Sequence, residues 1–220
     1  MKKIIISVSI VLVLMLMMSF ASSYSNSINT GLANNMIRLH VVANSNSLND
    51  QLLKLKIRDK VLDYTKILLK DSVDIDDTQR IIDQNLENIS NFVKSYMNEN
   101  CINYSVKVML GEFPFPTKAY GDIVLPAGNY QALKILIGKA SGNNWWCVLF
   151  PPLCFTDATH GVMTDDVKQR LKYDLTQEEY DIITKANDDG DIPIKIKFKV
   201  VELFQTSRIR ITSLISRHIS

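Results

Sequence analysis

Gly142-Asn143-Asn144-Trp145-Trp146-Cys147-Val148-Leu149-Phe150-Pro151-Pro152-Leu153-Cys154 is the stretch on which the reading of the fold turns. It carries both tryptophans of the chain, two of its three cysteines and two of its six prolines. Residues 145–150 form an unbroken apolar run of the length of one buried strand. Pro151-Pro152 must end that strand, because proline donates nothing to a ladder and restricts the residue before it. The chain then reverses and reaches Cys154. Two readings stand for these cysteines. A Cys147–Cys154 bridge across the prolyl bend would contribute about 2.5 kcal/mol by chain entropy for so short a loop. Alternatively both thiols are free and buried as small apolar groups. The bridge is the expectation, and Cys101, left over at a helix end, is expected to be a free thiol. Trp145 and Trp146 read as a core anchor, as an interface hot spot, or as both.

Working outward, 220 residues with 46% hydrophobic and 22% charged composition are enough to bury a real core. A formal net charge of +2 gives no electrostatic case for binding nucleic acid. The N-terminus is different in kind. Met1-Lys2-Lys3 is a basic start, residues 4–18 are apolar except for Ser7 and Ser9, and Ser19-Phe20-Ala21 offers small residues for cleavage. Residues 1–21 are therefore a signal peptide cut after Ala21 or an uncleaved membrane anchor. Either way the lysines stay inside and the rest is exported, which permits disulfides there. Residues 22–35, rich in Ser and Asn, read as a linker. Residues 36–202 then form one domain, followed by a tail, 203–220, that suits an amphipathic helix with Arg208, Arg210 and Arg217.

Within the domain, residues 36–43 alternate, with Ile37, Leu39 and Val41 on one face and Arg38, His40 and Val42 on the other, which predicts a strand. Ser47 and Asp50 resemble a capping box ahead of a long helix whose core stripe is Leu53, Ile57, Val61, Tyr64 and Leu68. Asp50, Lys54 and Arg58 form a polar row on another face. Such a row is usually solvated, but it follows directly on the strand of His40 and Asn44, so a shared polar surface is the sharper reading. A second helix starts at Asp76-Asp77-Thr78 with the stripe Ile82, Leu86, Ile89, Val93 and Tyr96 or Met97. Strands follow at 104–110, 119–125 and 130–137, with a bend or edge at 111–117 and short turns that imply an antiparallel meander. Thr164 is expected to cap a short helix containing Val167 and Leu171. Thr176-Gln177-Glu178-Glu179 is a capping box, and residues 194–200 alternate as a strand with one lysine-rich face. The fold class is thus α+β: an antiparallel sheet of about five to six strands with two long helices packed on one face.

Little in the chain announces catalysis. There is no phosphate loop and no dinucleotide glycine pattern. His40, His160 and His218 are too scattered for a zinc motif, and Cys147 with Cys154 lacks the two-residue spacing. A Cys–His pair built from Cys147 or Cys154 with His40 or His160 has no local signature. No metal, cofactor or small-molecule substrate is expected.

Three segments carry a resemblance: Ile37-Arg38-Leu39-His40-Val41-Val42-Ala43-Asn44-Ser45, Asp50-Gln51-Leu52-Leu53-Lys54-Leu55-Lys56-Ile57-Arg58-Asp59, and Asn144-Trp145-Trp146-Cys147-Val148-Leu149-Phe150-Pro151-Pro152-Leu153-Cys154. With Phe115-Pro116-Thr117-Lys118-Ala119-Tyr120-Gly121 and Pro126-Ala127-Gly128-Asn129-Tyr130-Gln131-Ala132-Leu133, they make residues 36–154 similar to the stage II sporulation protein R family. The resemblance implies an exported signalling protein of endospore-forming bacteria. It would be sent from the forespore, through the export machinery, into the space between forespore and mother cell. There it would activate a membrane-embedded aspartic protease of the mother cell that cleaves the sigma-E precursor. The resemblance implies no enzyme. The alternatives are a secreted thiol- or histidine-dependent hydrolase, or a membrane-tethered structural protein. From the residues themselves, the surface expected to meet a partner is His40, Asn44, Asp50, Lys54, Arg58, Trp145 and Trp146.

Overall fold

A computed structural model describes residues 2–153, 165–186 and 192–219. The chain clusters into two compact units, Met1–Leu32 with Pro116–Gly128 and Leu175–Ser220, and Ala33–Phe115 with Asn129–Asp174.

The second of these holds the sheet. It contains β1 (Ile37–Val42), β2 (Val106–Phe115), β5 (Gly128–Ile137) and β6 (Asn144–Phe150) in the order β2-β5-β1-β6. β1 runs parallel to β5, with Leu39 opposite Leu133, and antiparallel to β6, with Leu39 opposite Cys147 and His40 opposite Trp146. The sheet is therefore mixed and four-stranded, which corrects the expected antiparallel meander of five or six strands. The reason lies in β1, all six of whose residues are buried, Arg38 and His40 included. A strand covered on both faces belongs in the middle of a sheet, and β1 separates β5 from β6, which follow each other in sequence.

Two long helices do lie on one face. α2 (Leu48–Leu68) packs on β1, and α4 (Leu86–Glu99) packs on β2 and on α2. One core joins Ile37, Leu39 and Val41 of β1 with Leu53, Ile57 and Val61 of α2 and Ile89, Val93 and Met97 of α4. Each such aliphatic side chain contributes about 1.5–3 kcal/mol on burial. The second predicted helix is broken in two: α3 (Ile75–Gln84), capped by Asp74, ends at Asn85, from which α4 starts. β2 continues through Gly111 and Pro114 to Phe115 as an edge strand, the second of the two readings, bend or edge, expected there, since an edge strand tolerates proline. α5 (Asp165–Asp174) closes this unit. Its expected cap, Thr164, lies outside the described residues.

The other unit contains α1 (Lys2–Asn34), the hairpin β3 (Lys118–Tyr120) and β4 (Ile123–Leu125), α6 (Gln177–Thr184) and α7 (Ile192–Ile219). Two sequence expectations change here. Residues 22–34, predicted as a linker, continue α1, because Ser25, Ile28, Asn29 and Leu32 form a buried stripe at three- and four-residue spacing. Residues 194–200, predicted as a strand, belong to α7. Phe198, Val201 and Gln205 are its buried stripe, and that longer helical period overrides seven residues of alternation. The capping box of α6 is present as predicted, Thr176 with Glu179.

Candidate partner-binding site

The site is built where the turn after β1 meets the loop before β6. Ser47 caps α2 by accepting from the Asp50 amide at 3.2 Å. The Asp50 carboxylate, however, turns back into the turn and accepts from Ser45 Oγ at 2.6 Å and Asn44 Nδ2 at 2.8 Å. These bonds, Ser45 first, hold its pKa below the usual carboxylate range. Asn44 is the hub: its Oδ1 accepts from the Lys139 amide at 2.9 Å, and its carbonyl accepts from Ser141 Oγ at 2.7 Å. Two glycines allow the loop to lie this close. Gly138 has φ +57°, and a Cβ on Gly142 would come within 2.2 Å of the Ser45 carbonyl oxygen.

Lys54 closes the same junction, donating to Gln51 Oε1 at 2.7 Å and to the Asn143 carbonyl at 3.1 Å. It is only 5% exposed, and burial, followed by the nearby Arg58 charge, lowers its basicity. The polar row of α2 is therefore a buried seam at Asp50 and Lys54, whereas a solvated face was the ordinary expectation. One turn further on, the Arg58 guanidinium lies 4.1 Å from the centre of the Trp145 ring and pairs with the carboxylate of Asp59 at 2.6 Å.

The seven expected residues converge on the β1–β6 end of the sheet, but not on one surface. Residue alternation along β6 puts Trp145 on the helix side with Arg58, and Trp146 on the opposite side with His40. There the His40 ring stacks on Trp146, and its Nε2 lies 2.8 Å from Asn144 Oδ1. Phe115 meets Trp146, His40 and Tyr130 edge-on at 4.7, 5.9 and 5.9 Å. Within this aromatic box lies Arg38, fully buried, its guanidinium 4.1 Å from the Phe115 centroid and 4.8 Å from that of Tyr130. The sequence reading missed this box. Its signal was an arginine alternating with apolar residues in a strand, together with aromatics at the ends of two others.

The arrangement also bears on catalysis. Cys147 pairs with Leu39 across the ladder and so lies on the face opposite His40, which rules out a direct thiol–imidazole pair between them. Cys101 is free and exposed. Cys154, the partner expected for Cys147, and His160 lie outside the described residues. Among the described residues no cluster of three His, Cys, Asp or Glu side chains is placed to hold a metal ion.

Comparison with known proteins gives the chain its relatives. The family model described as stage II sporulation protein R matches residues 33–160, which include β1, α2, β5 and β6. Stage II sporulation protein R of Bacillus subtilis (strain 168) is 38% identical over 175 residues, covering 76% of this chain and 78% of that protein. No solved structure matches. With the whole β1–α2–β6 junction inside the matched segment, the chain belongs to the stage II sporulation protein R family.

Proposed function

We propose that this protein is exported from the forespore and switches on a membrane-embedded aspartic protease of the mother cell, which then cleaves the sigma-E precursor. The observation that carries the reading is family membership across the folded sheet and its flanking helices. It is supported by α1, an apolar helix near the N-terminus with the length and composition of a signal peptide or membrane anchor. A protein ligand moves its receptor only by binding the active state more tightly than the resting one. Such a ligand needs a rigid, presented surface rather than a reactive centre. The Arg58–Trp145 pair, braced by the Asn44–Asp50–Lys54 seam, offers one: a partly buried aromatic ring under a guanidinium, two residue types enriched among the hot spots of interfaces.

The test is deletion of the gene in its sporulating host, with immunoblotting for the sigma precursor. The precursor is expected to remain uncleaved, and cleavage to return when the intact gene is restored. Normal processing in the deletion strain would overturn the reading and leave a membrane-tethered structural role in its place.

A further inference from the structure

The C-terminal half of α7 carries a second apolar face that its packing leaves open. Within its unit, α7 buries Phe198, Val201 and Gln205. This side meets α1: Ser25 Oγ donates to the Val201 carbonyl at 3.2 Å, and Gln205 Nε2 donates to Ser25 Oγ and to Asn26 Oδ1, each at 3.2 Å. At about 100° per residue, Leu203, Phe204, Ile211, Leu214 and Ile215 fall in a different arc of about 120°. Leu203, Ile211, Leu214 and Ile215 are 65%, 58%, 56% and 54% exposed. Arg208 and Arg210 flank this arc on its two sides, and residues 203–220 contain no Asp or Glu. Single exposed apolar residues are ordinary; an aligned stripe of them between arginines is the pattern of a helix lying in a membrane interface.

A second observation places the helix of the apolar leader beside it. Arg208 donates to Asn26 Oδ1 at 3.3 Å. Asn26 follows Ala21, the end of the apolar leader, by only about 7–8 Å along the α1 axis. The basic, apolar half of α7 thus begins next to the part of α1 that directly follows the apolar run ending at Ala21.

We propose that the Leu203, Ile211, Leu214 and Ile215 face of α7 beds into the headgroup layer of an anionic bilayer, with Arg210 toward the lipid phosphates. The domain then stays on the membrane surface whether or not the leader is cut.

Because α1 holds the full chain on vesicles regardless of α7, binding alone is not the readout. The experiment uses the full chain carrying Cys101→Ser, with a nitroxide at Leu214→Cys or Thr212→Cys mapped by peptide analysis. The chain is reconstituted in phosphatidylcholine vesicles with or without phosphatidylglycerol. In anionic vesicles the label at 214 is expected to be open to oxygen and shielded from a nickel complex, and the label at 212, on the other side of the helix, to show the reverse. Arg210→Gln is expected to lower the immersed-to-free ratio at 214 about fivefold. Equal nickel access at 214 and 212 in anionic vesicles would overturn the proposal. So would shielding from both reagents with copy-to-copy dipolar broadening in detergent, since a second copy would then cover the face.

Discussion

His40 stacks on Trp146 with ring centroids 3.8 Å apart and planes 21° from parallel. Burial, reinforced by the Lys134 and Arg38 charges, outweighs the Asn144 hydrogen bond and lowers the His40 pKa from 6.5 to about 4. The native ring therefore resists a proton that the unfolded chain accepts. Its contribution to stability is complete above pH 6.5 and declines as pH falls from 6.5 to about 4, by an amount of order 2 kcal/mol. Thermal unfolding between pH 7 and pH 4 should show this acid limb, and His40→Gln should flatten it. An unchanged limb in the variant would assign the loss to other groups.

Asn44 bonds Asp50 through its amide nitrogen and the Lys139 amide through its oxygen. Asn44→Ala leaves both partners short in a half-buried seam and is expected to cost about 2 kcal/mol, read as a lower denaturant midpoint with an unchanged slope. Asn44→Asp should be worse at neutral pH and recover partly on mild acidification, since it sets a second carboxylate against Asp50. Equal stability of Asn44→Ala and the natural chain would show that the loop is held without this hub.

Arg58→Ala removes a cation over a ring and is expected to cost no more than about 1 kcal/mol. Activation of the protease should fall well beyond that small loss if the Arg58–Trp145 pair is the presented surface. The measurement is sigma-precursor cleavage in strains carrying Arg58→Ala, Trp145→Ala or both, alongside thermal unfolding of the purified chains. Full activation by the double variant removes the pair from the interface. Lys54→Ala is a poorer probe, because its ammonium is buried in the Asn143 junction and its loss should destabilise the domain.

Alkylation of the protein from sporulating cells without reduction, followed by mass spectrometry, should label Cys101 alone, the free and exposed thiol. After reduction Cys147 and Cys154 should label together. Label on Cys147 in the unreduced sample would refute the pairing across Pro151-Pro152.

The sequence showed its regular parts plainly. The α2 and α4 stripes and the Trp145–Phe150 strand lie where their periodicity placed them. What it hid has physical causes. Alternation in β1 was visible, but not that the side bearing Arg38 and His40 is as buried as the other, since polar residues in a strand normally mark solvent. The parallel β1–β5 pairing is a long-range choice that no local turn encodes. Residues 22–34 and 194–200 misled by composition and by a short alternation, and only their buried stripes reveal helices, whereas the helix expected after residue 202 is there. For the site, the residue types were legible; the division of Trp145 from Trp146 by the sheet follows from register, which needs the partner strand.

The placement of β1 also sets the order in which this chain can acquire its structure. Synthesis proceeds from the N-terminus, so β1 emerges early, yet His40 finds Asn144 only 104 residues later. Both neighbours of β1 come from the second half of the polypeptide, and the helices α2 and α4, which share its core, are what can shelter it in the meantime. Pairings of such sequence separation form slowly. Under the proposed export, the chain would remain threadable through a channel until nearly all of the sheet has passed, and would lock once β6 arrives on the far side.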